Sequence, residues 1–435
     1  MAPFWSAALV ALLLLLIPGS LKAEEGDAAK ETQKAEHWKI SAELRWRGEF
    51  RDNTDFQPAD DFDAFLGQRI RLRLLLRAHK RLSFFVEGQD VWLFGAERDK
   101  VIHNLATNLY QAYADWSLAA NSPWQLRAGR QELIYGKERL VGAFGWDNVG
   151  RSFDAVRLRY TRSAWTVDGF WGRLVDVRRA GAPHRPGHRD LYGVYLSQAP
   201  KGSARRTEFY SLFFHDGLRT AGEASRPAET TGIVTLGFRR EHAPATGFRY
   251  EVENAWQFGE RGPDGHRAAA LVASAGYAWG GRMRPAVSFE YDFATGDNNP
   301  ADGRSREFEN LFPTNHPYYG YADLVGLRNL HDFRVTASAR PHARLMVQAD
   351  YHRFLLASPR GPWKNAGGRV LGLDPTGAAG RDLGQEFDLT VSVPLWEQHL
   401  ALQGGYSIFL PGRFAIRTRG PETHNFAYLQ TTLRF

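Results

Sequence analysis

Arginine recurs at alternate positions in two stretches near the start of the chain, Arg45 and Arg47, then Arg69, Arg71, Arg73 and Arg77. Arg127 and Arg130, then Arg157 and Arg159, continue the series. A guanidinium keeps its charge at any ordinary pH and grips a carboxylate with two parallel hydrogen bonds. A stacked column of them would draw a polyanion along it. Acidic residues interleave, among them Glu43, Glu49, Glu87, Asp115, Glu251 and Glu253. The same arginines could therefore brace a wall through internal ion pairs. Alternatively, carboxylates such as Glu43, Asp115, Glu386 and Asp388 could flank a bound polyanion and keep its binding weak enough for release.

Other chemistry finds little support in the sequence. There are no cysteines, which excludes disulfides, thiolate metal sites and cysteine nucleophiles. There is no phosphate loop, no Gly-x-Ser-x-Gly elbow and no His-Glu-x-x-His helix. His352 shares a strand face with Asp350, but no serine stands near to complete a hydrolase, so a satisfied histidine is the reading taken. Asp297-Asn-Asn-Pro-Ala-Asp-Gly303 puts Ala301 where a calcium loop wants a third acid, and Asx turns explain it better. No catalytic residue, metal or cofactor is expected.

The elements that must carry the arginines are strands. From Trp38 to Arg51 the alternation is unbroken, with Trp38, Ile40, Ala42, Leu44, Trp46, Gly48 and Phe50 on one face and charged or polar residues on the other. Ile70, Leu72, Leu74 and Leu76 stand opposite Arg69, Arg71, Arg73 and Arg77, with Leu75 the one break on the polar face. About 18 such segments follow one another to the end, where Tyr428-Leu-Gln-Thr-Thr-Leu-Arg-Phe435 finishes on an aromatic. Short connections, as at Ala78 to Lys80 and Thr161 to Ala164, alternate with long ones, as at Gln131 to Gly150, Thr295 to Asn329 and Ala357 to Leu383. Short periplasmic turns and long outer loops are the rhythm of an outer-membrane barrel. A mean hydropathy of −0.42 does not oppose this, because lipid-facing and lumen-facing residues average out. Nor do 13 Trp, 16 Tyr and 28 Phe, which suit membrane interfaces.

The fold expected is all-β, a transmembrane antiparallel barrel over residues 38–435. Before it, an apolar run from Ala7 to Ile17 with Ala23 ahead of Glu24-Glu25 reads as a signal peptide over residues 1–23. Residues 24–37 are charged, without apolar period, and read as a flexible periplasmic tail. Gly129, Gly136, Gly142 and Gly145 could let the adjoining loop fold into the pore as a gate. Tyr318, Tyr319 and Tyr321 could stack on sugar rings, although loop packing or interface anchoring serves as well. The basic run from Arg178 to Arg189 could touch lipopolysaccharide phosphates.

Several motifs together are more specific. Leu126-Arg-Ala-Gly-Arg-Gln-Glu-Leu133, Arg139-Leu-Val-Gly142, Trp146-Asp-Asn148 and Arg151-Ser-Phe-Asp154 resemble the alginate export family of bacterial outer-membrane barrels. So do Gly296-Asp297, Phe312-Pro-Thr, Tyr318-Tyr-Gly-Tyr-Ala-Asp323, Tyr351-His-Arg-Phe354 and Gly384-Gln-Glu-Phe-Asp-Leu389. The resemblance spans Trp38 to Phe435 and implies an 18-stranded secretion porin with an arginine-lined constriction for a uronate polysaccharide. Gly129-Arg130-Gln131 matches a family motif, which singles out Arg130 as the leading pore residue. Where mannuronate exporters continue with a further Arg and an acidic stretch, this chain has Glu132-Leu-Ile-Tyr135, which leaves the sugar open.

The combined expectation is a monomeric channel of the Gram-negative outer membrane that exports an anionic, alginate-like polysaccharide. Its partners would be that polymer, outer-membrane lipid and lipopolysaccharide, and periplasmic export machinery, with no nucleic acid. The alternatives are an uptake porin for small anions or sugars and a lipid-modifying barrel enzyme built around His352.

Overall fold

The computed structural model describes residues 37–58, 61–95, 107–176, 188–396 and 399–435. The leader and nearly all of the tail expected from the sequence lie outside these residues.

Eighteen long strands form the wall. In chain order they are β1 Trp38–Asp52, β2 Asp63–His79, β3 Leu82–Gly95, β4 Asn108–Ser117, β5 Trp124–Gln131 and β6 Phe153–Arg162. Next come β7 Trp165–Leu174, β8 Arg189–Gln198, β9 Arg205–Thr220, β10 Glu229–His242, β11 Gly247–Arg261 and β12 Asp264–Ala278. The last six are β13 Ala286–Ala294, β14 Leu330–His342, β15 Leu345–Leu356, β16 Asp382–Trp396, β17 Leu400–Pro411 and β18 His424–Arg434. Each pairs antiparallel with its sequence neighbours, and β1 pairs with β18 from Glu43↔Arg434 to Asp52↔Asn425. That last pairing closes the sheet and removes both edges, which a bilayer requires because lipid offers no hydrogen bonds.

The two-residue period decides what each face meets. On β1, Trp38, Ile40 and Phe50 are exposed on the outer surface, while Glu43, Arg45, Arg47 and Glu49 are buried inside. Lipid takes the first set and the bore the second. The faint segments around residues 190–197 and 230–238 prove to be full strands β8 and β10. Connections alternate in length as the sequence suggests, with one departure: β11 and β12 meet at the outer rim through Gly262 and Pro263 alone. Gly262 has φ +58°, which its lack of a Cβ permits.

The outer half of the bore is not empty. Long loops turn inward and build a packed core in which Phe56, Phe308, Tyr319, Phe354, Trp363 and Phe409 are all but fully buried. Phe56 meets Trp363 edge-on at 5.6 Å and Phe409 at 5.8 Å. Burying such rings removes roughly 150–250 Å² of surface each from water, enough to hold a loop inside a barrel.

Candidate functional site

Residues 132–152, between β5 and β6, form a loop that reaches across the bore to the arginines of β1 and β2. Arg45 Nη1 donates to the Gly145 carbonyl at 2.9 Å, and its Nη2 donates to the Asp147 carbonyl and to Asn148 Oδ1, each also at 2.9 Å. Arg47 Nη1 donates to the Trp146 carbonyl at 2.6 Å, with its guanidinium 3.8 Å from the Trp146 ring centroid. Arg69 reaches the Gly145 and Asp147 carbonyls at 3.3 Å, and Arg71 Nη2 reaches Val149 O at 3.1 Å. Four arginines on two adjacent strands thus hold residues 145–149 by their carbonyl oxygens. Strand alternation makes this latch, because it puts all four on one face in register, with Arg45 opposite Arg69.

The loop is knitted to the residues between β13 and β14 as well. Tyr135 bridges to Val141, and Val141 to Phe312. Arg139, 2 % exposed, donates to Glu290 Oε2 at 3.0 Å and to the Tyr319 hydroxyl at 3.2 Å. The Tyr318 hydroxyl donates to Lys137 O at 2.6 Å. Tyr318 and Tyr319 therefore pack loops together, and the sugar-stacking alternative has no support at either. Burial pushes Arg151, within the same loop, down to about 10. Of the four glycines, Gly129 and Gly136 take positive φ, +124° and +58°. Gly142 is required by space, since a Cβ there would lie 2.5 Å from Glu138 Oε2.

Nearer the periplasmic end the arginines meet the lumen directly. Arg73 Nε donates to Glu87 Oε1 at 2.8 Å. Arg127 grips Asp115 with two bonds of 2.7 Å and lies over the Tyr113 ring at 3.9 Å. Arg159 grips Asp168 with bonds of 2.7 and 2.6 Å. Arg157 differs. It stands in register with Arg127, two residues from Arg159 on the same face, and only 8 % of it is exposed. Its Nε has no acceptor, and among the described residues no carboxylate comes within ion-pair distance. A buried cation flanked by two others, with no carboxylate in direct contact, is a costly arrangement that an anion would relieve.

The wall-bracing reading applies to several of these arginines. Arg47 with Glu49, Arg69 with Glu43, Arg73 with Glu87 and Arg127 with Asp115 are wall-bracing pairs as well as inward-facing groups. Arg130 corrects the expectation. It shares its face with Leu126 and exposed Ala128, pointing away from the bore, and pairs with Asp154 at 2.8 Å. Arg173 and Asp190 make a second outward pair at 2.8 Å on the neighbouring strands. Both pairs sit at the strands' outer ends, where a charge on the lipid face costs little.

Glu386 and Asp388 lie across the lumen, 0 % and 3 % exposed. Glu386 Oε1 accepts from the Ala322 amide at 2.9 Å and the Ser407 hydroxyl at 2.8 Å, so it anchors an inserted loop. Asp388 lies 3.7 Å from His352 Nε2, and His352 Nδ1 is 2.9 Å from Asp332. His352 is thus held between two carboxylates, neither of them Asp350, which Arg334, Thr336 and Gln348 occupy. In the segment 297–303, Asp297 accepts from the amides of Asn299 and Arg306, and Asp302 accepts from the Arg306 guanidinium. Most of the basic run before Arg189 lies outside the described residues.

What the sequence missed is the latch itself. Its signal was present: residues 132–152 include Leu133, Ile134, Leu140, Val141, Phe144, Trp146 and Val149, too many apolar side chains for a loop bathed in water.

The alginate export family profile matches residues 37–430. No curated protein matches the chain. Among solved structures, Pseudomonas aeruginosa OpdO is similar at 14% identity and TM-score 0.59, covering 92% of this chain and 97% of that one. P. aeruginosa OccK8 (OprE) gives 13% identity and TM-score 0.59 over 92% and 98%. The outer membrane protein opdK of the same organism gives 9% and 0.58 over 91% and 99%. At such identities these likenesses speak for the barrel alone.

Proposed function

Since this chain belongs to the alginate export family, we propose that it passes an acidic, alginate-like polysaccharide outward through its lumen. That it is an outer-membrane β-barrel channel is the premise, and the cargo and direction are the proposal. The observation that carries it is Arg157, a buried guanidinium with no carboxylate within ion-pair distance among the described residues, set between Arg127 and Arg159. Carboxylates of a uronate chain would supply the missing charge one after another. Asp115 and Asp168, already engaged with the flanking arginines, compete with the polymer and keep each grip brief.

In this reading the β1–β2 arginines act on the gate rather than on the cargo. Residues 145–149 fill the place in front of Arg45, Arg47, Arg69 and Arg71, so an incoming polyanion would exchange its carboxylates for the loop's carbonyls. Arg130 has no place in the conduit. No step needs a catalytic group, and His352 between Asp332 and Asp388 serves to pin the wall.

The test is ion selectivity in a planar bilayer. Wild-type protein should prefer chloride over potassium, and Arg157→Gln should lower that preference. Block by long uronate oligomers but not by monomers would favour export over small-anion uptake. A cation-selective wild-type channel would end the reading.

A further inference from the structure

The short turns at the periplasmic end are nearly free of acid. Lys80 and Arg81 occupy the turn between β2 and β3, Lys201 that between β8 and β9, Arg282 and Arg284 that between β12 and β13, and Arg344 that between β14 and β15. All six are exposed, and among the described residues none makes an ion pair. Glu397, the one acid the sequence puts in any of these turns, lies outside the described residues. The outer loops carry both signs: the segment 295–329 holds Asp297, Asp302, Glu307, Glu309 and Asp323 against Arg304, Arg306 and Arg328, and the segment 357–381 holds Asp374 against Arg360, Lys364, Arg369 and Arg381. Among the described residues the periplasmic turns therefore carry cations only, whereas the outer loops mix cations and acids.

We infer that this basic collar is a capture surface for a polyanionic chain, loading the channel from the periplasmic side. It rests on the reading of the cargo as an acidic polymer and adds where that polymer is first held. Three points support it. Arg282 and Arg284 stand one turn from Arg344, two strands and roughly 10 Å along the rim. That is about one screening length at physiological salt, so these three cations reinforce one another, while Lys80 with Arg81 and Lys201 stand farther round the rim. Unpaired cations at a mouth raise the local concentration of a polyanion and its arrival rate. The collar is also continuous with inward cations above it: Arg73 and Arg159 remain partly exposed to the lumen. A chain that has met Lys80 and Arg81 just beyond β2 next meets Arg77 and then Arg73 on that strand.

Stopped-flow capture of a fluorescently labelled oligouronate by the full-length protein in nanodiscs tests this. We expect the association rate to fall about tenfold in a variant carrying Lys80→Glu, Arg81→Glu, Arg282→Glu and Arg284→Glu, and to fall with added sodium chloride for the wild type. A neutral oligosaccharide of equal length should show neither effect. Equal capture by the two proteins, or a rate indifferent to salt, overturns the inference. So does a variant that captures normally but copurifies with less anionic phospholipid, since the cations would then serve lipid headgroups. The cargo reading is judged separately, by the chloride selectivity of wild type against Arg157→Gln, which the collar substitutions leave in place.

Discussion

Replacing Arg45 by methionine should release residues 145–149 from the wall while leaving the barrel standing. Methionine keeps the unbranched stem and removes only the guanidinium, so no large cavity opens. Three buried hydrogen bonds of 2.9 Å are lost. A bond to a charged donor contributes about 1.5–3 kcal/mol, which taken naively would total well over 4. Two corrections reduce it. Arg69 already stands 3.3 Å from the Gly145 and Asp147 carbonyls, so two of the three acceptors keep a donor. Arg45 is also crowded by Arg47 on its own strand and by Arg69 in register, and removing one cation eases that repulsion. A net loss of about 2 kcal/mol remains, a roughly 30-fold rise in the released population. Hydrogen exchange read by mass spectrometry should show amides of 145–149 exchanging about 30-fold faster. Peptides from β10 to β12, across the barrel, should not change. Unchanged exchange in the loop, or equal acceleration everywhere, would refute the latch.

Arg157→Gln should lower chloride selectivity without lowering the temperature at which the folded barrel converts in a gel-shift assay, because no partner is left unpaired. Arg127→Gln is expected to lower both, since it strands Asp115. Gly129→Ala should destabilise the barrel by about 3 kcal/mol or more: φ is +124° and the new Cβ would lie 2.3 Å from the Ala112 carbonyl oxygen, read again as a lower conversion temperature. Glu309 gives a pH dependence. Burial alone would raise its carboxyl, but the guanidiniums of Arg328 and Arg261 outweigh that and hold it at about 2. A depressed carboxylate stabilises the folded loop above its unfolded value, about 4.3, and that contribution is lost as pH falls toward 2. Acid-stable protease cleavage within residues 305–328 should therefore rise between pH 4.5 and 2, and much less in Glu309→Gln.

The amino-acid order by itself determined the barrel, because the period of two leaves each strand no choice about which residues meet lipid. It also determined which way Arg130 points. Arg127 and Arg130 differ by three positions, so they cannot share a face, and Leu126 and Ala128 already mark Arg130's side as the lipid side. The Gly129-Arg130-Gln131 motif points the other way, and strand parity overrules it.

Only the tertiary structure decided which inward arginines are free. Arg45, Arg47, Arg69 and Arg71 look the same in sequence as Arg157, yet the first four face carbonyls from a loop some 100 positions away along the chain in the case of Arg45, and Arg157 faces none. Alternation is a local property of one strand, whereas the partner of a guanidinium depends on how a distant loop packs. That loop is held inside by burial of Leu133, Tyr135, Leu140 and Val141, with Tyr135 stacked on Phe170 and Tyr195 of the wall and Val141 bridged to Phe312, a contact set that no local pattern encodes.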